Sequence, residues 1–144
     1  MKVVLQVVKQ ASVSVNNTLI SKINSGYLLL VGIEKEDTSE TIKKMAKKII
    51  DMRINKDEND KTNLSIKDVG GEILSVSQFT LCADLDSRRP SFSRAASPDV
   101  AKKLYEEFNK ELSDNDILVK TGVFKEHMEV SLINDGPFTI NISL

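Results

Sequence analysis

The chain has no tryptophan, one cysteine, one histidine, three prolines and six glycines among its 144 residues. Each scarcity excludes something. Cys82 has no partner for an internal disulfide, which points to a reducing cytoplasm. A lone histidine, His127, offers little toward a zinc site, which takes several His, Cys or carboxylate ligands. No metal or cofactor is therefore expected. A Ser-His-Asp triad would have to be built on His127, yet no nucleophile turn lies near it in sequence and no G-x-S-x-G string occurs. His127 reads instead as a strand-end or surface residue. A Gly-rich phosphate loop is missing too, since Gly70-Gly71 precedes a strand and reads as a turn. The longest apolar run, Tyr27 to Ile33, is too short for a membrane span. Residues 1–8 alternate in a way no secretory signal does.

What is present describes an ordinary soluble globule: 40% hydrophobic, 28% charged, with a formal net charge of -1. One domain over residues 1–144 is expected, because a chain of this size can bury roughly 70% of its unfolded surface. Near-neutral charge argues against wrapping a long duplex, which needs a basic face to displace counterions. It leaves open the gripping of a single RNA end.

Strands are expected over Val3–Val8 and Ala11–Val15, with Asn16-Asn17 turning the chain into a third at Leu19–Ile23. Tyr27–Ile33 reads as a central strand covered on both faces. Asp37 or Thr38 caps a helix whose Ile42, Met45, Ala46, Ile49 and Ile50 recur at helical spacing, with Lys43, Lys44, Lys47 and Lys48 on the solvated side. Residues 56–63 are polar turn material. Glu72–Leu81 reads as a strand and residues 83–94 as an irregular loop. Ser97-Pro98 opens a second helix with a stripe of Val100, Ala101, Leu104, Tyr105, Phe108 and Leu112. Strands at Ile117–Thr121, Met128–Ile133 and Phe138–Ile142 complete a mixed α/β layered domain.

Two strings carry the chemistry. Ser77-Gln78-Phe79-Thr80-Leu81 places a hydroxyl and several backbone N–H groups at the end of a buried strand. Thr80 is the best side-chain candidate, as a nucleophile or as a group orienting a carbonyl or water, although no base accompanies it in sequence. The N–H groups of Phe79 and Thr80 offer an oxyanion site instead. Simple strand packing is the plainer reading of the same residues. Asn134-Asp135-Gly136-Pro137 reads as a sharp reversal between two strands; with a cis Gly-Pro bond it would form a wall of main-chain oxygens. Arg88, Arg89 and Arg94, with Phe92 among them, are either a solvated loop or a set of contacts to phosphates and a base.

Taken together, Val3-Val4-Leu5-Gln6, Ala11-Ser12-Val13, Val69-Gly70-Gly71-Glu72, Ser77 to Leu81, Arg89 to Ala95 and Val130 to Pro137 resemble the D-aminoacyl-tRNA deacylases, from Met1 to the last strand. The resemblance implies an α/β fold, a three-layer α/β/β domain of mixed sheets with two main helices, assembled as a cytoplasmic homodimer without cofactor or metal. It implies hydrolysis of the ester joining a D-amino acid to the 3′ end of tRNA. Ser77, Gln78, Phe79 and Thr80 would hold the terminal adenosine and the scissile carbonyl. Gly136 and Pro137, with Met128, would bind the amino acid and select its chirality, the Gly-Pro segment reaching into the other subunit. Arg88, Arg89 and Arg94 would meet the tRNA. A non-catalytic tRNA 3′-end binding module of the same descent is the alternative. The chain departs from the family pattern at Val7, where arginine is usual, at Phe138, where a small aliphatic residue is usual, and in a shorter, less basic loop at residues 84–87.

Overall fold

The computed structural model describes residues 1–144. Its organising element is β1, Lys2–Val15, a single strand where two were expected. The ladder to its neighbour shifts register between Val8 and Gln10, so Lys9 bulges and the strand continues. A tight turn at Asn16 and Asn17, both left-handed (φ 48° and 61°), returns the chain as β2, Thr18–Ile23. Two consecutive positive-φ residues suit the twist of a hairpin, and asparagine tolerates them. β2 pairs with residues 11–15 of β1, and β3, Gly26–Gly32, pairs with residues 2–8.

The opposite edge of β1 is occupied along its length by β8, Glu129–Ser143. Here the structure corrects the expected reversal at Asn134–Pro137. The chain bulges there and runs on in the same direction, because β1 is long enough to pair with both halves of β8. Gln6 faces Thr139 and Val8 faces Asn134, so Asp135 to Phe138 bulge out opposite Val7 alone.

From β3 the sheet continues through parallel pairings to β6, Glu72–Ser77, and β7, Val119–Thr121. The Ser21 hydroxyl donates to the Thr121 carbonyl at 2.7 Å and the Lys120 ammonium to the Lys22 carbonyl at 2.8 Å. These bonds draw β2 against β7, and the sheet curls almost closed. Val8, Val13, Ile23, Leu28, Leu74 and Val76 fill the inside of the curl. The outer face of the same strands, including Tyr27, Leu29 and Val31, packs beneath two helices. β3 is thus covered on both sides, as its apolar run implied. Between β3 and β6, the segment expected to be all turn makes a small hairpin of β4, Asn55–Lys56, and β5, Thr62–Leu64.

Helix α1, Ser39–Asp51, is capped by Thr38 in a reciprocal box with Thr41 and buries the five expected apolar residues. Helix α2, Pro98–Ser113, buries Leu104, Tyr105, Phe108 and Leu112. Val100 departs from the expected stripe and is 47% exposed. The first turn of α2 overhangs a cleft and directs Pro98 and Ala101 toward it, which leaves Val100 outside. No helix is long and apolar enough to cross a membrane.

Candidate active-site cleft

The strand expected over Glu72–Leu81 stops at Ser77, and Phe79–Cys82 forms a 3₁₀ turn. β3 ends at Gly32, so β6 has nothing left to pair with. The chain tucks beneath that glycine after Gln78 N–H donates to the Val31 carbonyl at 2.7 Å. A Cβ on Gly32 would meet Leu81 Cβ at 3.0 Å and Cys82 Sγ at 3.1 Å, so the close approach needs a residue without a side chain.

A cleft of about 540 Å³ opens where β3 and β6 end. Ser77, Gln78 and Phe79 form one wall. Ala95, Ala96 and Ala101, all small, leave room beside them, and Met128 and Phe124 close the far side. His127, a surface residue just before β8 as expected, stands exposed on this rim with Lys125. Their arrival there rests on the turn after β7, where Lys125 takes a left-handed φ of 68°, and no local pattern in the sequence announces it.

Thr80 lies just outside the cleft lining, in the 3₁₀ turn, and is exposed. Its hydroxyl oxygen accepts from Gln78 Nε2 at 2.5 Å. No imidazole, amine or carboxylate contacts it, so its own proton remains available to donate. The N–H groups of Phe79 and Thr80 open the turn, where a helical segment supplies no acceptor of its own. Cys82 beneath them is fully buried, and burial above all, then the nearby Glu34 charge, pushes its thiol up. A thiol held neutral in this way is a packing residue and not a nucleophile.

Under the cleft wall lies a buried polar cluster. The Tyr105 hydroxyl donates to the Ser75 carbonyl at 2.7 Å, two residues before Ser77. Burial, above all other influences, pushes the Tyr105 phenol up. Ser75 Oγ and Asn109 Oδ1 are enclosed without a partner. Sequence periodicity marks Tyr105 as core and gives no hint of this contact.

Gly136 and Pro137, joined by a cis peptide bond, sit exposed in the bulge of β8. Gly136 lines a separate hollow with Val7, Gly26 and Phe138. The bulge is level with Val7, which faces Tyr27, whereas Ser77 faces Val31. That separates the two motifs by about 13 Å along the strands and by three strand spacings across them, on the order of 20 Å in all. Within one chain the structure does not bring them together, and Met128 is on the side of Ser77.

Arg88, Arg89 and Arg94 are exposed and touch no carboxylate, whereas Lys44, Lys47, Lys56 and Lys102 each hold one four residues away. Arg94 borders a different depression, with Met1, Glu34 and Asp37. No group of three His, Cys, Asp or Glu side chains is placed to hold a metal.

Residues 4–143 match the family described as D-Tyr-tRNA(Tyr) deacylase. A D-aminoacyl-tRNA deacylase of Lactobacillus gasseri is 53% identical over the whole of both chains. One from an Exiguobacterium species is 52% identical, covering 97% of this chain and 96% of its own. Among solved structures, the c-Myc DNA Unwinding Element Binding Protein superposes with a TM-score of 0.95 at 38% identity, over 100% of this chain and 99% of that one.

Proposed function

The chain belongs to the D-Tyr-tRNA(Tyr) deacylase family, and from that premise we propose that it hydrolyses the ester linking a D-amino acid to the 3′ end of tRNA. The cleft beside Ser77, Gln78 and Phe79 receives the terminal adenosine and the ester carbonyl. Backbone N–H groups of Phe79 and Thr80 stabilise the developing oxyanion, where a single donor is typically worth about 10²–10³ in rate. The Thr80 hydroxyl is not the nucleophile in this reading. Its oxygen already accepts a hydrogen bond, and no base is in reach to activate it. The tRNA's own neighbouring 2′-hydroxyl assists the attack. An aminoacyl ester is labile enough for such modest assistance to suffice.

Chirality is read by collision. In this reading two copies pair, and the Gly136-Pro137 bulge of one enters the cleft of the other, close to Met128. Main-chain atoms against the α-carbon leave no room for an L side chain, whatever its chemistry. The observation that carries the cross-subunit arrangement is the separation of about 20 Å between the two motifs in one chain, worked from strand spacings. No ester could touch both within a single copy. The outer edge of β8 carries no strand partner, and Ile133 on it is 50% exposed. An unpaired edge of this length is an invitation to association. Arg88, Arg89 and Arg94 meet the tRNA backbone, and the setting is the cytoplasm.

The test is release of amino acid from D-tyrosyl-tRNA and L-tyrosyl-tRNA, with the protein's mass measured in solution. Rapid release of the D form alone, by a dimer, is expected. Tight binding of both without release would make the protein an RNA-end binding module instead.

A further inference from the structure

At the edge of the cleft, one surface is left unexplained by folding. Phe79 is 55% exposed and Phe92 is 37% exposed, and their rings meet edge to face with centroids 4.9 Å apart. Burying a phenylalanine stabilises a fold, so two adjoining rings left in water are not there for stability. Phe92 is fixed relative to the cleft: its carbonyl accepts from Ala95 N–H at 3.0 Å, and Ala95 lines the cleft wall. The loop that carries Phe92 is closed by paired bonds between Asp84 and Ser91, 2.7 and 2.9 Å. Arg88 and Arg89, flanking the ring in sequence, have no carboxylate partners, although the molecule pairs most of its helix lysines. An aromatic pair at the side of a pocket, in a segment whose Arg88 and Arg89 hold no carboxylate, matches single-stranded nucleic acid. Bases stack on the rings, and the backbone runs past the cations.

We propose that Phe92 is a stacking platform for the nucleotide preceding the terminal adenosine, continuing the path that Phe79 begins. The inference rests on the deacylase reading of the cleft and deepens it. The platform grips the unpaired 3′ strand by a π-face, which every base has, so it confers affinity without reading sequence. An aromatic pair at the cleft edge also sets the direction of entry, because the strand leaves the cleft over the rings.

Two substrates separate this platform from the cleft itself: a D-tyrosyl ester of adenosine alone, and the same ester on a trinucleotide ending in adenosine. The intact chain is expected to show a lower KM on the trinucleotide. Phe92→Ala is expected to remove most of that advantage, raising KM on the trinucleotide about tenfold, in line with base–aromatic stacking, while kcat changes little. Phe92→Trp is expected to restore it. Equal losses on both substrates would overturn the proposal, since Phe92 would then merely support Phe79. A change in oligomeric state on Phe92→Ala would overturn it as well, because the rings would then be covered by a second copy. Failure of the intact chain to hydrolyse either ester would instead refute the reading of the cleft, a result distinguishable from the first two.

Discussion

Gly136→Ala is the sharpest probe of the chiral wall. Gly136 has a φ of +133°, a backbone conformation that side-chain-bearing L residues rarely adopt. An added Cβ would sit 3.0 Å from the backbone nitrogen of Phe138 and 3.3 Å from its Cβ. Neither atom belongs to a flexible side-chain end, so the bulge itself must give. Holding a non-glycine residue in such a region costs about 1–3 kcal/mol, and relaxation means moving the peptide by some tenths of an ångström or more. A wall that excludes by collision is sensitive to displacements of that size, as a misplacement near 1 Å can cost about a hundredfold.

The expected outcome is a D-to-L preference at least tenfold lower, equivalent to about 1.4 kcal/mol, accompanied by a melting point lower by a few degrees. Gly70→Ala supplies the control. Its φ is also positive, +61°, but nothing lies within 4 Å of the added Cβ. It should lose a comparable stability of about 1–2 kcal/mol and leave stereoselectivity intact. Deacylation of paired D- and L-aminoacyl-tRNA, read alongside thermal melts of both variants, decides the matter. A folded Gly136→Ala protein with an unaltered D-to-L ratio would refute the wall.

Other expectations follow from the same geometry. Thr80→Val should keep deacylation within about tenfold if backbone donors carry the chemistry; a loss beyond about a thousandfold in kcat would restore the hydroxyl as nucleophile. Tyr105→Phe strips the hydroxyl from the buried Ser75 carbonyl and should cost about 1–3 kcal/mol, measured by denaturant unfolding, with kcat falling more than KM changes because Ser77 follows two residues on. Tyr27 is buried, accepts from Asn55 Nδ2 at 2.6 Å, and has its phenol pushed up to about 12, by desolvation first. The unfolded chain releases that proton near pH 10 and the folded one only near 12, so stability should be full below 10 and fall between them. Tyr27→Phe should flatten that alkaline decline, and an unchanged slope in urea melts at pH 9 to 11.5 would show that another group is responsible.

Much of this architecture is legible in the sequence, for identifiable reasons. Helix α1 shows plainly because Ile42, Met45, Ala46, Ile49 and Ile50 share one face and Thr38 carries its own cap. β3 shows because strands buried on both sides read as unbroken apolar runs. The breaks were harder. Lys9-Gln10 and Asn134-Asp135-Gly136-Pro137 look like ends of strands, since a bulge and a turn use the same polar and glycine residues. Only the length of the partner strand distinguishes them, and that is a tertiary fact. The 3₁₀ turn at Phe79–Cys82 was likewise hidden, being set by the close approach at Gly32. The rim residues Lys125 and His127 carry no periodic signal, because a loop delivers them from the far side of the chain.

The two misread breaks also explain how a wall could be built from backbone. They lie two residues apart along the β1–β8 ladder, Lys9 between the pairs Val8–Asn134 and Gln10–Ile133, and the β8 bulge between Gln6–Thr139 and Val8–Asn134. A side chain projecting across an interface can change rotamer to admit an unwanted substrate, whereas a bulge pinned at both ends by strand hydrogen bonds has little freedom to retreat. Two residues at the bulge are apolar. Val7 and Phe138 line the same hollow beside Gly136, and Val7 packs on toward the helix-facing core. Rigidity of the bulge therefore comes from the ladder pairs on either side of it, Gln6–Thr139 and Val8–Asn134.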